Sequence, residues 1–139
     1  MNTSRLSQGQ MITAAGGALL IISLFLHWGG GQSAFDSFSI VDIIMLLVGV
    51  AALAWALAPA AGAGATMPPN APLILAGLGM AVLGFAFGLE LEISGDIGVW
   101  LAVLGSLAIV YGAYEATRAP LPAASPRTPV AGRDAPEGI

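Results

Sequence analysis

MITAAGGALLIISLFLHW, residues Met11 to Trp28, contains no Asp, Glu, Lys or Arg. As an α-helix it would run about 27 Å at 1.5 Å per residue, close to the ~30 Å hydrocarbon core of a bilayer. A buried strand would need a much shorter run, and an outer-membrane strand would alternate polar and apolar residues. Apolar side chains occupy the helix all round, so no water-facing stripe is left. The segment is therefore a membrane helix in the making. A secretory leader is the competing reading, with Arg5 as the basic region and Met11–Leu26 as the apolar one. That run exceeds the usual length of about 7–15 residues and no A-x-A-like site follows it, which favours a retained helix.

Three further stretches share this character: about Ile40 to Ala58, Pro72 to Leu89 and Ile97 to Tyr114. The expected fold is thus all-α, a polytopic membrane protein of four transmembrane helices (11–28, 40–58, 72–89 and 97–114) arranged as two hairpins. Residues 1–10 would form a short N-terminal segment and 11–116 the helical domain. The connections fit this division. Gly29-Gly30-Gly31 reads as a flexible exit from the first helix, and Ser37 or Ser39 can cap the second, with Asp42 facing the positive end of its dipole. The run from Pro59 to Pro72 breaks any helix, and Ser94-Gly95-Asp96 offers a turn and a cap. From Thr117 the chain is proline-rich with little to bury, so residues 117–139 are expected to be a disordered tail.

The composition agrees. Of 139 residues 57% are hydrophobic and only 9% charged, with a mean hydropathy of +0.87. Soluble domains carry about 25% charged residues, so lipid is the solvent this chain asks for. The absence of cysteine excludes disulfides, thiolate metal sites and thiol redox chemistry. A net charge of −4 argues against nucleic acid as a partner, because phosphates attract basic surfaces.

Charge placement carries an orientation. Arg5 precedes the helical block, and Arg118, Arg127 and Arg133 follow it; no loop between helices holds a basic residue. The positive-inside bias then puts both termini in the cytoplasm of a bacterial plasma-membrane protein. Trp28 and Trp100 fall at the outer helix ends, and Trp55, Tyr111 and Tyr114 at the inner ones, the belt expected of amphipathic rings anchored in lipid headgroups.

Small residues mark where helices could approach. Gly16 and Gly17 open a face on the first helix, Ala52 and Ala56 on the second, Gly84-x-x-x-Gly88 on the third, and Ala108, Gly112 and Ala116 on the fourth. They are read first as contacts within the bundle and second as contacts between copies or with a membrane partner. The two hairpins also share offsets. Asp42-Ile43, Leu47 and Leu53-Ala54 match Asp96-Ile97, Leu101 and Leu107-Ala108, while Ala15-Gly16 matches Ala76-Gly77, as a parallel repeat would.

Ser23-Leu24-Phe25-Leu26-His27-Trp28, followed by Ser33-Ala34-Phe35-Asp36-Ser37-Phe38-Ser39 and Asp42, resembles a group of small actinobacterial membrane proteins. In that group the first helix ends S-L-F-L-P-W, an acidic and aromatic S-A-W-E-x-F-S-type segment follows, and an Asp opens the second helix. Here His27 stands where proline is usual and Phe35 where tryptophan is usual. The resemblance implies the four-helix architecture and carries no activity.

Candidate chemistry is sparse. His27, Asp36, Asp42, Glu90, Glu92 and Asp96 would gather on the outer face, where carboxylates without basic partners concentrate cations. Their spacing matches no metal motif, so no metal or other cofactor is assigned. No segment carries an ionisable residue near its centre, where transport normally places one. One histidine without a neighbouring nucleophile gives no catalytic arrangement, and a chain without lysine cannot complete a P-loop. The expectation is a non-enzymatic membrane protein that acts by packing with itself or a membrane partner. The alternative is a small channel or transporter subunit with an acidic outer mouth.

Overall fold

The computed structural model describes residues 6–28, 40–92 and 96–118, and these form an all-α structure. Its helices are α1 (Gln8–Leu24), α2 (Ile40–Leu57), α3 (Ala71–Glu92) and α4 (Ile97–Arg118), with one 3-10 turn at Gly64–Thr66 between α2 and α3. α2, α3 and α4 are long and apolar enough to cross a membrane, whereas α1 is a shorter apolar helix of 17 residues. Arg5, Asp36, Arg127, Arg133 and the tail from residue 119 lie outside the described residues.

Helix ends follow polar chemistry rather than hydropathy. α1 starts at Gln8, before its apolar run, because Ser7 and Gln10 form a capping box: the Gln10 N–H donates to Ser7 Oγ at 3.2 Å and the Ser7 N–H to Gln10 Oε1 at 2.9 Å. It stops at Leu24 instead of Trp28. There the N–H groups of Phe25 and Leu26 fall back onto the carbonyls of Ile22 and Ser23, both at 3.1 Å, and the Trp28 indole donates to Ser23 O at 2.6 Å. α2 runs into Pro59, and the chain reverses through Gly62, whose φ of +80° suits a residue without a Cβ. The Ala63 N–H then closes onto Ala58 O at 2.8 Å. α3 continues past the expected end at Leu89 through Glu90 and Glu92; glutamate is a good helix former, so the end of the apolar run does not end the helix.

The helices alternate in direction, and α1 is the pillar. It lies along α4 over most of its length and along α2 on another side, while α3 packs on α4 and only grazes α2. Leu20, Leu24, Met45, Val48, Ile109 and Ala113 are among the buried residues between them. Among the described residues three hydroxyls are fully buried, and each is satisfied within its own helix: Thr13 donates to Gly9 O, Ser23 to Leu20 O and Ser106 to Ala102 O, at 2.6–2.9 Å.

Candidate functional site

The α1–α4 seam is built on glycines that repeat every seven residues: Gly9 and Gly16 on α1, Gly98, Gly105 and Gly112 on α4. A Cβ built on Gly9 would stand 2.6 Å from the Gly112 carbonyl oxygen, and one on Gly112 would stand 2.6 Å from that of Gly9. Gly16 and Gly105 are paired in the same reciprocal way, at 2.7 and 2.9 Å. Backbone therefore touches backbone, the contact that substitutes for a hydrophobic driving force where the solvent is itself apolar. Ala108 and Ala116 lie in this seam, beside Gly16 and Gly9. Gly17 turns instead to α2, where its Cβ position would be 2.8 Å from Gly49 O and 3.2 Å from the Ala52 Cβ; Ala56 is fully buried as well. At the far end of the seam Gly98 makes room for the Trp28 ring and donates its N–H to His27 O at 3.2 Å.

α3 is the exception. Of its glycines only Gly79 meets a neighbour closely, with Val110 and Ile109 of α4. Gly77, Gly84 and Gly88 have nothing within 4 Å of a built Cβ. The spacing of Leu75, Val82 and Ala86 sets the buried side of α3, and at 100° per residue Gly84 falls on the side directly away from it. Gly84 and Gly88 therefore lie on the open side of α3, Gly84 at the rim of a cavity shared with Val103 and Leu107 of α4, while exposed Ala81 lines the cavity toward α2.

The described ionisable side chains are spread along the bundle. Asp42 is buried in the first turn of α2, Asp96 is half-buried just before α4, and the His27 side chain is exposed. Glu90 and Glu92 stand in the last turn of α3. No group of three or more metal-ligating side chains occurs among the described residues. Among the aromatic residues, Trp100, Tyr111 and Tyr114 are about half exposed, and Arg118 lies 4.4 Å from the Tyr114 ring centroid and donates to its hydroxyl. Trp28 and Trp55 pack on the core instead.

Spacing of four had marked Gly84 and Gly88. The spacing that locates the tight seam is seven, and it passes through Gly9, Gly98 and Gly105, which sequence reasoning did not single out. A seven-residue period was present in the sequence as its signal. No family model, curated protein or solved structure matches this chain.

Proposed function

We propose that the protein is a four-span, non-enzymatic protein of a bacterial plasma membrane that works by offering α3 to another membrane helix, in a second copy or a partner. One observation carries this reading: every helical glycine of α1, α2 and α4 sits in a close contact, whereas Gly77, Gly84 and Gly88 line the open side of α3. A helical glycine costs about 0.5–1 kcal/mol relative to alanine. Within the bundle that cost is offset by close packing; on α3 it is offset only if a helix docks there. Only 22% of the α3 span is buried, against 50% of α4, so α3 has surface to offer.

The position of the ends supports four spans. Gly9, at the start of α1, lies beside Gly112 and Ala116, near the end of α4, so α1 runs the depth of α4 in reverse. Its 17 residues reach about 26 Å as helix, and Phe25–Trp28 extend it at one end.

The test is energy transfer between donor- and acceptor-labelled copies in vesicles. Wild type is expected to associate, and Gly84→Leu to abolish the signal without lowering the unfolding temperature, since the position is open. Association that survives Gly84→Leu and Gly88→Leu alike would remove α3 as the contact. A wild type that stays monomeric would leave only the heterologous partner, to be sought by a photo-crosslinking residue at position 84 with position 104 as control.

A further inference from the structure

α1 is packed closely on α4 and α2, whereas α3 meets α2 only lightly and also leaves a cavity against α4 beside Leu83, Phe87 and Val103. Ile44, Met45 and Val48 of α2 face Leu78, Val82 and Phe85 of α3 across a cavity of 220 Å³. Toward the other end, Ala54 and Trp55 face Ile74 and Leu75 across a second cavity, of 340 Å³, floored by Met67 and Pro68 of the connecting loop. Leu78 lines both, so the two are one groove. It follows α2 from Val41 to Trp55, about 21 Å at 1.5 Å per residue, which exceeds the roughly 15 Å of one leaflet's hydrocarbon.

We propose that this groove is a lipid site that takes one acyl chain lengthwise, with the lipid's headgroup at the Trp55 end; the inference rests on the reading that the protein spans a membrane. The lining contains no charged or hydroxyl side chain, which matches a hydrocarbon chain and no polar ligand. The groove is also continuous with the apolar outer surface: Ile44, Ile74, Leu78 and Phe85 line it and are at the same time 40–51% exposed, so nothing gates a chain's entry from the bilayer. Width decides between a chain and a helix. A helix needs about 10 Å, and α2 and α3 still touch one another, so the slot admits an unbranched chain and excludes a second helix. Transfer from bilayer to groove carries no hydrophobic gain, because lipid tails are as apolar as leucine; what holds the chain is dispersion contact on both flanks, which an empty gap would forfeit. Trp55 adds a polar handle. Its half-buried indole packs at the groove's end, and its N–H meets no acceptor among the described residues, leaving it for an ester or phosphate oxygen.

The test uses the full chain in phosphatidylethanolamine–phosphatidylglycerol vesicles doped with a phospholipid that carries a diazirine in its acyl chain. After photolysis, peptide mass spectrometry compares adducts on Val48 and Leu78 with those on Leu47 and Leu104, which are exposed but outside the groove. Several-fold enrichment at Val48 and Leu78 is expected. Ala81→Phe and, independently, Ala51→Phe fill the groove from exposed positions and should bring that enrichment down to the control level, with Leu104 labelling unchanged. Equal labelling of groove and control residues in wild type would overturn the proposal. Release of the whole protein from the vesicles by alkaline carbonate, with no adducts anywhere, would instead remove the membrane reading on which the site depends.

Discussion

A glycine in this protein has a meaning that depends on what stands opposite it. At Gly112 a Cβ would meet Thr13 Oγ1 at 2.5 Å and the backbone of Gly9 and Thr13 at 2.6 Å, atoms that cannot rotate away together. Gly112→Ala should therefore destabilise the fold by about 1–3 kcal/mol, the usual penalty for overfilling a packed site. At Gly88 a Cβ meets nothing, and Gly88→Ala should stabilise the monomer by up to about 0.5–1 kcal/mol through helix propensity alone. Unfolding of the two variants in detergent should separate them in sign. Trp28 offers a second test. Its indole N–H donates to Ser23 O at 2.6 Å, so Trp28→Phe keeps the ring and should lose about 0.5–1.5 kcal/mol. The glycines were visible in the sequence but their partners were not. Gly84-x-x-x-Gly88 reads like a contact motif, and only the tertiary rotation of α3 reveals that it lies on the open side of that helix.

Among the elements, hydropathy located all four helices, because a membrane-length apolar run has few other uses. It misjudged their ends for a consistent reason: hydropathy records where lipid would stop, while a helix stops where its backbone groups find other partners. Ser7 and Gln10 start α1 in polar sequence, Ser23 and Trp28 end it inside apolar sequence, and α3 and α4 continue through Glu92 and Arg118. The elements also differ in how firmly they are held. α1 is clasped by α4 and α2, whereas α3 leans on α4 and leaves most of its span uncovered. Hydrogen exchange at rising denaturant should accordingly open α3 before α1 and α4, since local stability follows buried contact. If α1 lost protection first, the glycine seam would not be the anchor of the bundle.

At the scale of the whole molecule, the matched offsets of the two hairpins predict a two-fold arrangement in which the α1–α4 seam and the α2–α3 seam are counterparts. The packing is not two-fold, and the residues explain it. With Asp42 set against Asp96, Gly98 and Gly105 of the closed seam correspond to Ile44 and Ala51 of the open one, where side chains hold the helices apart. If only α2, α3 and α4 crossed the bilayer, the chain's two ends would emerge on opposite sides. Yet Gly9 lies against Ala116, so the start of α1 and the end of α4 share one side. In sequence Arg5 precedes α1, Arg118 closes α4 and Arg127 and Arg133 follow it, and no basic residue lies in a connection between helices. Basic residues are retained in the cytoplasm, so both ends should be there. Paired reporters fused after Gly31 and after Ile139 should place residue 31 outside and the C-terminus inside. Both fusions on one side would mean that α2, α3 and α4 do not all span, and an inverted pair would mean that arginine placement does not orient this bundle.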